Sequence, residues 1–222
     1  MLAFDPATLL AELQLGSAQL EGRRAYIRSP DASIIGRGDR RKINRPAQQK
    51  RGEVAPEDSS SVLPVVMGQF TEALNIAWFS VTQLRPAPSF RKVVGSRDYP
   101  FIRATPDTMT ADEAGAPATL ECKHVNAFST IDEIVARCLS QAQHGPPCTG
   151  LKTAHLSVFL GTLKYESRTI AREDWYITKL LDAERAFLAS LQWGRDPQPI
   201  VVGGQWNTQG WTPGFMRRPN SA

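Results

Sequence analysis

Residues 104–125 read ATPDTMTADEAGAPATLECKHV, and the organisation of the chain can be worked out from them. The segment ATLECKHV, 118–125, has the composition of a strand, as do FRKVV, 90–94, and FIRAT, 101–105, with Gly, Pro and Asp turns between them. Successive side chains of a strand alternate faces, so Glu121 and Lys123 project to one side and Cys122 to the other. If Asp107 ends the preceding strand of the same hairpin, a second carboxylate joins Glu121 on that side. The pair, completed by the backbone carbonyl of Cys122, is an oxygen-rich pocket suited to Mg²⁺. Such an ion polarises a phosphate and lowers the pKa of a bound water, while Lys123 orients that water or offsets developing charge. Spacing alone is equally met by a surface ion pair beside a turn aspartate.

Outward from this hairpin, helical and strand periods alternate. Residues 68–84 keep Leu74, Ala77, Trp78 and Val81 at helical spacing and predict a buried helix with Glu72 near its start. On the other side, TIDEIVARCLSQAQHG, 130–145, opens with a Thr cap and acidic first turn and stops at Gly145-Pro146-Pro147. Residues 153–162 and 165–171 read as strands, and 173–194 as the strongest amphipathic helix. The N-terminal stretch from Asp5 to Leu20 reads as a short amphipathic helix, and the last 28 residues show no period. The order is helix, strands, helix, strands, helix.

A length of 222 residues, with 41% hydrophobic and 22% charged, suits one globular domain with short appendages. We expect a helical appendage over 1–28, the main domain over 29–195 and a tail over 196–222, in which Trp206 and Trp211 are packing residues. No stretch approaches the roughly 20 apolar residues of a membrane span, and the N-terminus has no signal-peptide pattern, which predicts a cytoplasmic protein. Cys122, Cys138 and Cys148, 16 and 10 apart, fit neither a zinc pair nor a disulfide framework. The net charge of +4 is concentrated: residues 21–56 carry ten Arg or Lys against four Asp or Glu, and read as a solvated loop or helix. His124 and His155 read as packing residues. His144, beside a helix end, reads as a surface or capping residue, with a phosphate contact as the alternative.

Four motifs in order, MGQFTEALNIAWF, ATPDTM, LECKHV and CLSQAQHG, resemble those of the PD-(D/E)XK nuclease superfamily, and within it the phage-type recombination exonucleases of the lambda exonuclease and YqaJ kind. The resemblance spans about residues 33–195. It implies an α/β fold of restriction-endonuclease type, a central mixed β-sheet flanked by helices. It further implies that Asp107, Glu121 and the Cys122 carbonyl bind metal, that Lys123 is the catalytic lysine, that Glu72 holds a second metal or its water, and that Gln141 positions the attacking group, with Gln143 the weaker glutamine. The cofactor is then Mg²⁺, replaceable by Mn²⁺ and present as two ions.

The same resemblance implies a substrate of double-stranded DNA ends, cut from 5' to 3' to leave 3' single strands for recombination. A homotrimer and a single-strand annealing partner also follow from it. Arg37, Arg40, Arg41, Lys42 and Arg45 are candidate phosphate contacts, since basic side chains supply most sequence-independent affinity for DNA. Ser33 and Arg37 are the candidates for the terminal 5' phosphate, and Gln143 is a further DNA contact. Two departures stand out: Thr108 replaces the glycine that usually follows Pro-Asp, and Gly145-Pro146-Pro147 threatens to fray the helix bearing Gln141. An endonuclease of the same fold and a non-catalytic DNA-binding protein are the alternatives.

Overall fold

The computed structural model describes residues 24–200 apart from Ser60, Ser89 and Arg91, together with Val202, Gln205–Asn207 and Gly210–Thr212. The helix expected over Asp5 to Leu20 lies outside the described residues. In chain order the elements are β1 (Ile27–Arg28), α1 (Ser29–Arg37), α2 (Arg40–Arg51), α3 (Leu63–Gln83), β2 (Val94–Gly95), β3 (Ile102–Ala104), β4 (Thr108–Ala111) and β5 (Pro117–Val125). Then follow α4 (Ile131–His144), α5 (Pro146–Thr149), β6 (Thr153–Leu160), β7 (Lys164–Ala171), α6 (Asp174–Gln192), β8 (Gln205–Asn207) and β9 (Gly210–Thr212).

The expected α/β fold with mixed pairing is present, with the strands divided between sheets. A four-stranded sheet runs β4-β5-β6-β7, and a three-stranded one runs β1-β3-β2. β5 and β6 are parallel, with Glu121 level with Leu156 and Lys123 with Val158, and the other neighbours of the larger sheet are antiparallel. Parallel neighbours need a long crossover, and α4 supplies it. Its N-terminus is set by a capping box in which the Thr130 hydroxyl accepts from the Glu133 N–H while the Glu133 carboxylate accepts from the Thr130 N–H.

β6 is buried almost throughout, as a strand covered on both faces should be. One face, with Leu156, Val158 and Leu160, joins Ile134, Val135 and Leu139 of α4 and Tyr176, Ile177, Leu180 and Phe187 of α6 in the core. The opposite face, with Ser157, meets α3, where Asn75 bonds the Ser157 hydroxyl at 2.5 Å. α1 closes on α4 through Gly36, where a Cβ would collide with the Ser140 hydroxyl and stand 3.1 Å from Leu180.

Several expectations need correction. α3 starts at Leu63, and the stripe read as buried is its open side: Leu74 is 59%, Trp78 47% and Val81 70% exposed, while Asn75 and Phe79 are buried. The strand expected over 90–94 is reduced to Val94–Gly95, and β1 and β4 were not anticipated. The basic segment is helical, as one of its two readings had it, but α1 and α2 are not simply solvated, since Ala32, Ile35, Ile43 and Ala47 are buried; α2 is started by Asp39, whose carboxylate accepts from the Arg41 N–H at 3.0 Å. Gly145-Pro146-Pro147 does not fray α4: Gly145 stays right-handed helical and the chain runs directly into the single turn of α5. His144 is neither a surface nor a capping residue but lies fully buried between Glu184 and the Arg103 carbonyl. His124 and His155 do pack, against Phe159 and Phe79 respectively.

Candidate active site

Pro106 and Asp107 link β3 to β4, and Thr108 opens β4 opposite Leu120 of β5. Asp107 therefore stands beside the point where β5 runs on past its β4 partner, and its Oδ2 accepts from the Cys122 N–H at 2.8 Å. The antiparallel neighbour ends there, so a side chain takes over the next hydrogen bond of the strand. Thr108 needs no left-handed backbone: the only non-glycine with positive φ among the described residues is Leu84. The Thr108 hydroxyl instead donates to the Pro88 carbonyl, holding the start of β4 against the segment that follows α3.

From β5, Glu121 and Lys123 project together as expected, with Lys123 Nζ 3.4 Å from Glu121 Oε2. Gln141 reaches down from α4, and its Nε2 donates to the same Oε2 at 2.6 Å. Burial, the nearby Asp107 carboxylate and Glu72 raise the Glu121 pKa to about 8, against the pull of Lys123. Burial works against charge on Lys123, but Glu121 and Asp107 outweigh it, and its pKa is raised. The Cys122 thiol is pushed up by burial and by the same carboxylates. Asp107, Glu121, Lys123, Gln141 and Glu72 are thus one electrostatic unit, with three acids facing one ammonium.

α3 brings Glu72 to this unit because Asn75, nearly one turn on, anchors the helix: its Nδ2 donates to the carbonyls of Lys123 at 3.1 Å and Ser157 at 3.2 Å. Thr71 adds a bond of 3.0 Å to His124 Nδ1. Sequence reasoning missed Asn75, although a lone amide inside the apolar run ALNIAWF was a visible signal. It also missed Cys138, which shares its surroundings with Lys123 and Glu121, and Arg137 beside it.

The remaining candidates are placed unevenly. Arg37 ends α1 with its Nε on the Ser33 carbonyl at 3.0 Å, and acts on Cys138 electrostatically, so it edges the site. Arg41, Lys42 and Arg45 are exposed on α2, where Lys42 pairs with Asp39 at 3.6 Å and Arg45 with Glu57 at 3.4 Å. The Arg40 side chain lies outside the described residues. Gln143 is not with the others: it is buried, donating to the Ala171 carbonyl at 2.7 Å and accepting from the Glu173 N–H at 2.9 Å. It ties β7 to the start of α6 and presents nothing to DNA, which corrects the expectation of a contact there.

Among the described residues no three His, Cys, Asp or Glu side chains close on one point as a ready-made metal cage. The donor set still fits a hard divalent cation: two adjacent carboxylates, one of them held short of ionisation by burial and the other's charge, beside a strand carbonyl. Mg²⁺ takes few protein ligands and keeps several waters, so such a half-built site is its usual accommodation.

No family model and no curated protein matches the sequence. Solved structures do match in three dimensions. The alkaline exonuclease LHK-Exo from Laribacter hongkongensis superposes with a TM-score of 0.64 at 16% identity, over 80% of this chain and 94% of that one. The chain has the fold of a phage-type exonuclease. The same exonuclease in complex with dAMP gives a TM-score of 0.66 over 81% of this chain. A phage-related exonuclease from Haemophilus somnus 129PT gives 0.54 at 13% identity, over 78% of this chain and 95% of that one. This exonuclease fold is the architecture expected from the four motifs, reached from backbone geometry at an identity too low for sequence comparison to register. In it, Asp107, Glu121, Lys123 and Gln141 meet at one point although 34 positions separate the first from the last.

Proposed function

We propose that the protein is a Mg²⁺-dependent exonuclease that shortens one strand of linear duplex DNA from its 5' end, leaving 3' single strands for phage-type recombination. The observation that carries this reading is the convergence of Asp107, Glu121, Lys123 and Gln141, with Glu72 facing them, at the end of the β4–β5 ladder. The exonuclease fold supports it, as does the dAMP bound by the Laribacter enzyme, a nucleotide of the kind an exonuclease releases.

Asp107, Glu121 and the Cys122 carbonyl would hold the first ion, and Glu72 a second or its water. When bound, such ions polarise the scissile phosphate and make water nucleophilic near neutral pH, and Mn²⁺ serves the same purpose. Lys123, kept cationic by the acids around it, offsets negative charge gathering on the phosphate oxygens. Gln141 fixes the Glu121 carboxylate through its 2.6 Å bond and, from the same position, orients the attacking water. Arg37, Arg41, Lys42 and Arg45 neutralise backbone phosphates, with Ser33 and Arg37 nearest the terminal one. A homotrimer around the duplex and an annealing partner for the product strand, in the cytoplasm, complete the reading. Among the described residues, no helix is long and apolar enough to cross a membrane.

The test is cleavage of linear duplex DNA labelled at either end, with Mg²⁺, with EDTA, and with Lys123→Ala. Release of the 5' label first, only with metal and intact Lys123, is the expected result. Nicking of closed circular plasmid would make the protein an endonuclease of this fold, and binding without cleavage would make it a non-catalytic one. Sedimentation of the same preparation checks the trimer.

A further inference from the structure

Arg137 belongs to none of the basic clusters read from the sequence, yet the fold sets it at the site. It lies one helical turn before Gln141 on α4, and residues four apart share a helix face, so it stands over the side chain that reaches Glu121. On its other flank Ser140 packs against Gly36, and Arg37 follows Gly36 at the end of α1. The rim between Gln141 and the α1–α4 seam is therefore lined by Arg137 and Arg37, both exposed. Both also hold down the pKa of the Cys138 thiol, as Lys123 does, although burial pushes that thiol up more strongly.

Neither guanidinium is bonded to a carboxylate among the described residues. Among the described residues, Arg37 is held only through its Nε on the Ser33 carbonyl, and Arg137 enters no hydrogen bond or ion pair. The carboxylate nearest Arg137 in sequence, Glu133, lies one helical turn before it and attracts it, but its oxygen is bonded to the Thr130 N–H in the cap and makes no bond to the guanidinium. Two like charges on one rim repel each other and are drawn together by an anion between them, and the planar guanidinium fork matches phosphate oxygens.

We infer that Arg137, with Arg37 across the seam, forms a subsite for a backbone phosphate of the bound strand, next to the phosphate that Glu121 and Lys123 address; this rests on the nuclease reading of that site. The subsite positions the strand and takes no part in the chemical step, so its loss falls on KM more than on kcat.

The experiment compares wild type, Arg137→Ala, Arg137→Lys and Arg185→Ala, which removes the same charge from α6, where none of the site groups lie. Cleavage of a linear duplex is followed with Mg²⁺, and binding of the same DNA is followed in EDTA across a salt series. Arg137→Ala should raise KM about tenfold and reduce the slope of log affinity against log salt by about 0.9, one phosphate contact on duplex DNA. Arg137→Lys should restore the slope, and Arg185→Ala should leave it at the wild-type value. An unchanged KM and slope in Arg137→Ala, or an equal loss in Arg185→Ala, would overturn the subsite. If wild type binds DNA but never cleaves it, the nuclease reading falls while the salt slopes still decide for or against Arg137. If wild type does not bind DNA at all, both fall.

Discussion

At the scale of single residues, Glu121 is the group the fold treats worst. It is largely withdrawn from water, beside Asp107 and within reach of Glu72, and its carboxyl is pushed up to about 8. Its pKa when unfolded is 4.5, so between 4.5 and about 8 the folded protein holds a proton that the unfolded chain releases. Stability is linked to that difference, and in this window it falls as pH rises. In EDTA the thermal midpoint should therefore drop between about pH 6 and about pH 9, and Mg²⁺ should raise it more at the alkaline end, where the ion meets a carboxylate already ionised. Calorimetry at both pH values, with and without metal, checks this; a midpoint that is flat in EDTA would contradict it. Glu121→Gln removes the repulsion along with the ligand. In EDTA at about pH 9 it should melt higher than wild type, and with Mg²⁺ its kcat should fall about a thousandfold, the usual scale for losing a group that acts on the transition state. Lys123→Ala should lose activity on the same scale without the gain in stability, because the acids then face one another with no ammonium between them.

At the scale of elements, α3 shows how a helix is aimed. Its docking rests on Asn75, which bonds the Lys123 and Ser157 carbonyls and the Ser157 hydroxyl. Asn75→Ala removes these three hydrogen bonds from a buried contact and should cost about 2–3 kcal/mol, read from urea unfolding. The same substitution frees α3 to shift, so kcat should fall although Asn75 touches no substrate. The sequence showed that a helix lay here and that it carried Glu72, but the wrong side was taken as buried. Periodicity tells which residues share a face and is silent on which face meets the sheet; Leu74, Trp78 and Val81 form a true stripe that stays largely open, with only Trp78 reaching a ring, Tyr165, at its edge. The polar groups show the orientation, because the buried Asn75 amide needs partners and the strand carbonyls and the Ser157 hydroxyl supply them. The two glutamines of α4 teach the complementary lesson. Positions two apart on a helix point about 200° apart, so Gln141 and Gln143 could not both face Glu121, and helix geometry alone separates the one at the site from the one beneath α6. Strand alternation put Glu121 and Lys123 on one side, but it took the order of the four motifs to join Asp107 to them, since a surface ion pair meets the same spacing and the strand before Asp107 belongs to the other sheet. β1 and β4 were not legible, being too short to show a period, and β1 is fixed besides by a partner distant in sequence, Ile102 for Ile27.

At the scale of the whole molecule, the smaller sheet, α4 and α6 are joined by one buried polar node. His144 Nδ1 lies 2.8 Å from Glu184 on α6, and its Nε2 lies 3.0 Å from the Arg103 carbonyl on β3. For both nitrogens to donate, the ring must be protonated, and although burial works against that, Glu184, the Arg103 carbonyl and the more distant Asp31 outweigh it and raise the pKa. The contribution of the pair is then complete below the ordinary histidine value of 6.5 and is lost as pH rises through the raised folded value. His144→Ala leaves Glu184 buried without its partner and should cost about 3–5 kcal/mol. The double variant His144→Leu, Glu184→Leu should cost much less, because it removes both charges together with Glu184 Oε2, which has no hydrogen-bond partner among the described residues. If the two single losses simply added in the double variant, the node would be two independent packing contacts and no ion pair. The site reads the same node through α4: Gln141 sits one turn short of His144, so a helix loosened from α6 carries its amide off Glu121. His144→Ala should therefore lower kcat with Mg²⁺ even where the protein remains folded, and the leucine pair, which keeps α4 packed, should recover most of it.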